Sequence, residues 1–246
     1  MISRKNVHRK LYEYVVDELG LQIIRGDYRP GETLPNEEAL CKEFDVSRGV
    51  LREAMKVLIQ KGLLESKTKT GTFVRLSNSW NLFDPDVLIW KYETGAKPEF
   101  LKNIMEVRRI IEPEAARLAA ERASVLEVKR IQAIYDDMRC TISDKGGYSS
   151  EEFIRVDLEF HTAILEACHN ELLAQIGRTM RRALLTARQS DRHDLAAQKH
   201  TLLTHIAILE AIAAHKPEEA YHANQALITQ VWRDMQQQWE QEEKPS

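Results

Sequence analysis

The chain has 246 residues, of which 43% are hydrophobic and 30% are charged, and its formal net charge is -3. This composition argues against a disordered protein and is sufficient for two domains with hydrophobic cores. The chain shows no apolar stretch of transmembrane length and no signal peptide, so we expect a cytoplasmic protein without a membrane partner.

The three cysteines Cys41, Cys140 and Cys168 are odd in number and far apart, which argues against a disulfide scaffold. We expect each of them to be a small buried side chain.

Charge is distributed unevenly along the chain. Residues 1–75 carry 14 basic and 11 acidic side chains, whereas the remainder carries 21 and 27. Such an asymmetry is typical of a DNA-binding domain joined to an acidic body.

The first strong pattern is a predicted helix-turn-helix between Glu37 and Leu58. Two helical apolar patterns are separated by a short break at residues 45–47. Asn36 and Ser47 directly precede these patterns, where a side-chain oxygen can accept a hydrogen bond from an unpaired helix N–H. The apolar stripe of the second helix consists of Val50, Leu51, Ala54, Met55 and Leu58.

The opposite face of the second helix is basic. Arg48, Arg52 and Lys56 recur every four residues, and a helix that presents arginines can enter the major groove and bond to guanine or phosphate. The alternative for this stripe is a solvated basic face.

A predicted β-wing follows Gly62, which we expect to terminate the helix. Two short strands enclose a turn that is rich in lysine, and residues 47–75 together carry seven basic and two acidic side chains. These features favour a winged helix-turn-helix whose wing contacts the phosphate backbone or minor groove. The candidate DNA-binding residues are Ser47, Arg48, Arg52, Lys56, Lys67, Lys69 and Gly71.

Residues 77–98 are interrupted by polar residues and proline but contain Trp80, Trp90 and Tyr92. A free linker is rarely so rich in aromatic residues, so we expect this hinge to pack down and fix the angle between head and body. From Glu99 onward only helical patterns follow, which predicts an all-α body of six or seven helices. Pro113 lies inside one of these patterns and predicts a kink or a restart.

Within the body, Asp157 and His161 are four residues apart on one helix face, a spacing that can hold a metal ion. His205 lies on another, mainly apolar helix and can supply a third ligand. The alternative for the first two residues is an exposed Asp–His pair.

The N-terminal motifs together resemble the DNA-binding domain of the GntR family of bacterial transcription regulators. The resemblance implies that Arg48 and Arg52 contact DNA and that the wing around Lys69 enters the minor groove. Glu38 departs from the family, which usually has an arginine at this position. The matching residues are Pro30-Gly31, Leu34-Pro35, Val46-Ser47-Arg48, Val50-Leu51-Arg52-Glu53-Ala54, Leu58, Gly62-Leu63 and Gly71-Thr72-Phe73-Val74.

The body resembles the FCD effector domain of the FadR subfamily, and the hinge resembles that of galactonate-operon repressors, with Trp80-Asn81, Asp84, Asp86-Val87-Leu88 and Trp90. The residues that carry the FCD resemblance are Arg108, Glu112, Asp157, His161, Asn170 and His205. Many such domains bind a divalent cation through an Asp and three His, and the cation helps to hold a carboxylate effector.

The resemblance assigns three metal ligands to Asp157, His161 and His205, but the fourth position is Leu227. His222 lies more than one turn earlier and is a poor substitute. Such a three-ligand site can still bind Zn, Ni or Mn weakly, with water or an effector carboxylate completing it.

Arg108 and the same three residues are the candidate effector-binding residues, and we expect an anionic hydroxylated effector such as an aldonate. The alternative for Arg108 is an internal salt bridge with Glu112.

The sequence therefore predicts a mainly α protein: a winged helix-turn-helix domain over residues 1–76, a hinge over 77–98 and an all-helical, FCD-like effector-binding and dimerisation domain over 99–240. We expect a homodimeric repressor of a sugar-acid operon that binds a palindromic operator and is released from it by a carboxylate effector. One alternative is a regulator that responds to metal itself. The other is a two-His-one-carboxylate metalloenzyme, for which no nucleophile or proton-shuttling acid is apparent.

Overall fold

The computed structural model describes residues 4–67, 71–94, 97–142, 150–188 and 195–242. Within these ranges the chain forms ten α-helices and one two-stranded sheet, so the predicted mainly α class is confirmed. The chain divides into two compact units, Met1–Lys97 and Pro98–Ser246. None of the described helices combines the length and apolar character needed to cross a membrane.

The N-terminal unit contains α1 (Arg4–Arg25), α2 (Glu37–Glu43), α3 (Arg48–Gln60), β1 (Leu64–Lys67), β2 (Gly71–Val74) and α4 (Pro85–Glu93). The C-terminal unit is built from α5 (Lys97–Arg122), which begins at the boundary, α6 (Val125–Thr141), α7 (Ser150–Ala167), α8 (Glu171–Arg188), α9 (Leu195–Ala213) and α10 (Pro217–Glu242).

The two helices of the helix-turn-helix begin at the predicted caps. Asn36 Oδ1 accepts a hydrogen bond from the Ala39 N–H at 2.9 Å, and Ser47 Oγ accepts one from the Val50 N–H at 3.4 Å. These bonds satisfy backbone donors that have no partner inside a helix. Between the helices Asp45 adopts a left-handed conformation with φ 51°, which allows the tight turn.

The predicted wing is present as an antiparallel pair in which Leu64 faces Val74 and Lys67 faces Gly71. Leu64 and Val74 are buried and anchor the base of the wing in the core of this unit. Gly71 has φ 92°, a conformation that is strained for residues with a side chain. The predicted DNA-binding residue Lys69 lies outside the described residues.

The segment after the wing packs onto the N-terminal unit, as expected. Val87 and Trp90 of α4 belong to the same core as α1 and α3, and α4 packs against α1. Gly20 of α1 makes room for the indole of Trp90, because a Cβ at this position would overlap the ring. That this segment fixes the angle between the two units remains a prediction.

One buried lysine ties α4 to the end of α3. Lys61 is 9% exposed, and its Nζ lies 2.7 Å from Asp84 Oδ1 and 2.8 Å from Asp86 Oδ2. Asp84 also caps α4 by accepting the N–H groups of Asp86 and Val87. Burial alone would lower the pKa of Lys61, but its bonds to the two carboxylates outweigh burial and raise it.

The helices of the C-terminal unit enclose a single core cluster to which α5, α6, α7, α9 and α10 all contribute. α6 packs on α7, α7 on α8, and α9 on both α6 and α10. The predicted restart at Pro113 is wrong, because α5 runs through it without a break. Ala115 and Ala116, two and three residues after the proline, are fully buried, and this packing keeps the chain helical although the proline lacks an N–H. The expectation for the cysteines holds for Cys168 only, since Cys140 is exposed and Cys41 is half-buried.

Candidate DNA-binding surface and interior polar site

The N-terminal end of α3 is the most open part of the predicted DNA-binding surface. Ser47 and Arg48 are exposed, and Arg48 forms no ion pair within the described ranges of the chain. The first turn of α3 contains no acidic residue. Ser47 Oγ accepts the Val50 N–H, so the N–H groups of Arg48 and Gly49 and the positive end of the helix dipole are the features that an anion can use. This end of the helix can therefore accept a DNA phosphate or place Arg48 against a base edge.

The other two predicted cations of α3 have acidic partners on the surface. Arg52 Nη2 lies 3.0 Å from Glu37 Oε2, and Lys56 Nζ lies 2.8 Å from Glu53 Oε1. All four side chains are about half exposed or more, so the pairs are weak and exchangeable. A phosphate that binds Arg52 must compete with Glu37.

On the wing, the ammonium group of Lys67 lies 4.4 Å from the centre of the Phe73 ring, an arrangement that favours the cation. Glu38, the acid found where the family usually has arginine, pairs with Lys42 at 3.2 Å. Gly71 is exposed at the start of β2.

The second site is a cluster of polar side chains inside the C-terminal unit. Its five members are buried, with exposed fractions of 1% for Arg108, 5% for Glu112, 3% for Asp157, 6% for His161 and 0% for His205. The expectation of an exposed Asp–His pair is therefore wrong. Buried charged and polar side chains are rare because of their desolvation cost, so five together require a network of partners or a function.

Glu112 connects the arginine to the first histidine. Its carboxylate accepts two hydrogen bonds from Arg108, at 2.5 Å and 3.2 Å, and Oε2 lies 3.0 Å from Nδ1 of His161. Burial alone would raise the pKa of Glu112, but Arg108 and His161 lower it to about 2. Because Glu112 is thus an ionised acceptor, Nδ1 of His161 is the protonated nitrogen in the neutral ring, and the lone pair is then on Nε2.

His205 is held in the same tautomer by a backbone carbonyl. Its Nδ1 lies 2.7 Å from the oxygen of Thr201, which only accepts hydrogen bonds, so the Nε2 atom is the one with the lone pair. This Nε2 lies 3.0 Å from Asp157 Oδ1 but makes no hydrogen bond in the described part of the chain. With a neutral ring these are two acceptor atoms, which repel one another at such a distance unless a positive charge, from a second ring proton or a bound cation, lies between them.

The donor set therefore fits a divalent cation. Ligand atoms of Asp157, His161 and His205 all lie within 4.8 Å of one another, and Nε2 of His161 is 3.9 Å from Asp157 Oδ1. The hydrogen bonds to Glu112 and Thr201 are those with which proteins orient histidine ligands of a metal. Nitrogen and oxygen donors of this kind suit Zn, Ni or Mn.

The remaining predicted residues lie outside this cluster. Leu227 is buried in the hydrophobic core, and His222 is exposed with its ring edge-on to Tyr221. Asn170 accepts the N–H groups of Leu172 and Leu173 and thus caps α8. Thr201 was not among the predicted site residues, although its position one turn before His205 is a detectable signal.

The predicted alternative for Arg108, an internal salt bridge with Glu112, is present, and the arginine also lines a small cavity. The volume open to water is ≈ 20 Å³, which accommodates about one water molecule. The cavity lies between α5, α7 and α8, and its lining includes Glu112, His161, Gly177 and Met180. A Cβ at Gly177 would overlap Leu165, so this glycine permits the close approach of α8 to α7.

Two family models match the chain. The model for bacterial regulatory proteins of the gntR family matches residues 11–74, and the FCD domain model matches residues 103–230. The first range contains the helix-turn-helix and the wing, and the second contains the interior polar cluster.

Characterised relatives match over most of the chain. The galactonate operon transcriptional repressor of Escherichia coli strain K12 is 36% identical over 88% of this chain and 92% of its own length. The HTH-type transcriptional repressor NanR of Cronobacter sakazakii is 30% identical over 95% of this chain and 88% of its own length. The solved structure of Lar from Listeria monocytogenes shares the fold, with a TM-score of 0.59 and 18% identity over 91% of this chain and 94% of that one.

These relatives are transcription regulators rather than enzymes, and the predicted family is confirmed. The chain belongs to the GntR family of bacterial transcription regulators and carries the FCD domain.

Proposed function

We propose that the protein is a homodimeric, cytoplasmic repressor of a sugar-acid operon and that an aldonate bound at the interior polar site releases it from operator DNA. The observation that carries this proposal is the pair of histidine nitrogens whose lone pairs lie beside the Asp157 carboxylate in a buried site. A cation held there by Asp157, His161 and His205 supplies a positive charge that binds the carboxylate of the acid.

The chemistry of the surrounding residues supports an anionic ligand. Arg108 lines the cavity beside His161, and its Nη1 atom lies 3.7 Å from the sulfur of Met105, a weak acceptor. Guanidinium groups bind carboxylates with strong, directional hydrogen bonds. The similarity to a galactonate operon repressor supports an aldonate as the class of acid.

The small size of the cavity supports a binding site that opens when the acid binds rather than a preformed pocket. A space for about one water molecule does not admit a six-carbon acid, since sites for small molecules usually measure roughly 300 Å³ or more. Binding therefore has to displace the helices that line the cavity. α5 carries Arg108 and Glu112 and begins at the last residue of the N-terminal unit, so we assign to it the transmission of this displacement.

The homodimer is part of the proposal because helix-turn-helix proteins read paired half-sites through two-fold symmetry. In the complex, Arg48 contacts base edges or phosphates, and Arg52 leaves Glu37 to bind a phosphate. Lys56, Lys67 and Lys69 contact the phosphate backbone of the DNA. The sequence-independent part of the affinity falls steeply with salt concentration.

Thermal unfolding of the purified protein tests acid binding directly. We expect one aldonate from a panel of aldonates, uronates and short hydroxy acids to raise Tm, because at a hundredfold excess over Kd a ligand stabilises the folded state by about 2.7 kcal/mol. Removal of divalent metal should weaken this response. Asp157→Asn should abolish it, while Asp137→Asn on the exposed face of α6 should leave it intact.

A panel in which no acid shifts Tm, with or without Zn, Ni or Mn, contradicts the proposal. Operator affinity that responds to metal alone supports the second candidate, a metal-responsive regulator, which the three clustered ligands favour. The leucine at position 227, where the resemblance implies a fourth ligand, argues against it.

A further inference from the structure

The amide of Asn224 is a buried polar group that the site described above does not use. Asn224 lies on α10 and is 1% exposed, and neither its Nδ2 nor its Oδ1 atom has a hydrogen-bond partner among the described residues. Burying an amide without a partner costs free energy, and native proteins contain few such groups. An apolar residue at this position would be more stable, so the amide needs another explanation.

Asn224 lies level with His205 along a helical hairpin. α9 and α10 pack on one another and are joined by residues 214–216, where His215 has φ 53° and Lys216 N–H donates to Ala211 O. His205 is eight residues before the end of α9 and Asn224 is seven residues after the start of α10. At about 1.5 Å per residue, these positions are about 12 Å and about 10.5 Å from the hairpin turn.

The face of α10 that carries Asn224 is the one that faces the core. Ala220 and Leu227, four residues before and three residues after Asn224, are buried in the same hydrophobic cluster as Phe160. The Phe160 ring in turn packs against the His205 ring, with 4.9 Å between their centres. A stripe with this spacing lies on one side of a helix, so the amide shares the interior that contains the polar site.

We propose that Asn224 is a specificity-determining residue that recognises a hydroxyl group of the acid; this inference rests on the proposed function. Both halves of the amide, one donor and one acceptor, are without a protein partner. A hydroxyl group complements both halves because it donates and accepts. A cation uses only the amide oxygen and a carboxylate uses only the N–H group, so either would leave half of the amide unpaired.

The consequence is discrimination between hydroxylated acids and their deoxy analogues. A site with a buried polar group that pairs with a ligand hydroxyl rejects the analogue lacking it, because the protein group is then left unpaired. The cation and Arg108 recognise the carboxylate common to all these acids, whereas Asn224 distinguishes among their hydroxylated chains.

Calorimetric binding to the full-length protein tests this inference, with galactonate, gluconate and the singly deoxygenated galactonates as probes. The parent should bind the preferred acid at least tenfold more tightly than one deoxy analogue. Asn224→Leu should weaken binding of the full acid at least tenfold and remove this preference. Its Zn, Ni and Mn affinities should equal those of the parent, and its Tm without acid should be equal or higher. Asn103→Leu, at an exposed position on α5, is the matched control.

Three outcomes overturn the inference. If Asn224→Leu keeps the parental affinity for the acid and the parental preference over the deoxy analogue, the amide does not bind a hydroxyl group. If Asn224→Leu loses metal affinity together with acid affinity, the amide is a cation ligand. A parent that binds none of the acids overturns the proposed function and this inference with it, which distinguishes that failure from the first two. If Asn224→Leu does not fold because leucine does not fit the site, the same affinities are measured with Asn224→Ala.

Discussion

The charged side chains on the surface of α3 and those inside the C-terminal unit differ in their exposure to water. On α3, Arg52 and Lys56 are exposed and pair with Glu37 and Glu53 through water-accessible contacts, which contribute little to stability and are easily exchanged. In the C-terminal unit, Arg108 and Glu112 are almost completely buried and bonded in two places. A surface cation is thus ready for a partner, whereas an interior charge is retained only with its whole network.

The contrast shows where each type of ligand can act. DNA can replace an acidic neighbour on α3 without disturbing the core, because the exchange takes place in solvent. An acid that enters the interior site must open a cavity of ≈ 20 Å³ that is lined by Arg108, Glu112 and His161. Binding there is therefore coupled to helix packing, and binding on α3 is not.

The largest effect is expected from removing the interior arginine. Arg108→Met leaves the Glu112 carboxylate buried without its main partner, and the free energy of unfolding should fall by about 3–5 kcal/mol. Urea unfolding measures this change. The double variant Arg108→Met/Glu112→Met should recover most of the loss, because no buried charge remains.

The matched control is Arg117→Met, because Arg117 lies on the same helix and pairs with Glu114 and Glu121 at a position where 30% of its side chain is exposed. This variant should unfold at nearly the same urea concentration as the parent, because ion pairs that water reaches contribute little to stability. Equal losses in the two variants would refute the distinction between the interior and surface pairs.

The next largest effect concerns DNA. Arg48→Ala should weaken specific operator binding by about 1–3 kcal/mol, roughly 5-fold to 150-fold, because this exposed arginine is available to a guanine or a phosphate. Gel-shift titration at fixed salt measures the change. Arg139→Ala on the exposed face of α6 is the control and should retain parental affinity. If Arg48→Ala also binds the operator with parental affinity, the N-terminus of α3 does not contact DNA.

A histidine introduced at position 227 should strengthen metal binding. Leu227 lies three residues after Asn224 on the buried face of α10, and Leu227→His should raise Zn affinity at least tenfold, or about 1.4 kcal/mol, by completing a four-ligand site. Competition with a chelating dye measures the affinity. Ile228→His, one residue further along the helix and equally buried, should not raise Zn affinity. A similar rise in both variants would disprove the assignment of the fourth ligand position to residue 227.

The smallest effect is expected at the surface pair of α3. Glu37→Gln frees Arg52 from its competitor and should strengthen DNA binding by less than about 1 kcal/mol, with the difference shrinking as salt is added. Glu38→Gln removes an equally exposed acid that pairs with Lys42 instead. If the two variants gain the same DNA affinity, the gain is caused by the change in net charge rather than by the release of Arg52.

Local patterns accounted for most of the fold. The N-caps Asn36 and Ser47 and the helix stop at Gly62 are where periodicity and cap chemistry predicted them, since these signals act over only a few residues. The restart that Pro113 predicted does not occur, because burial of Ala115 and Ala116 maintains a helix that local rules would interrupt. Tertiary packing of this kind does not appear in a short window of sequence.

The interior site was only partly predictable. Spacing identified Asp157 and His161, which share a helix face, but not the separation of their ligand atoms from those of His205 on another helix. The pairing of Arg52 with Glu37 joins residues fifteen positions apart and depends on the angle between α2 and α3. The unpaired state of Asn224 depends on every helix around it, so no motif could have revealed it.

The most direct test of the account is a gel shift with the promoter DNA beside the gene of this protein, titrated with galactonate and other aldonates in the presence of divalent metal. The account predicts specific binding that one aldonate releases in the parent but not in Asp157→Asn. Binding that every acid leaves unchanged, or a release that persists in Asp157→Asn, would contradict the claim that the interior polar site controls the DNA-binding unit.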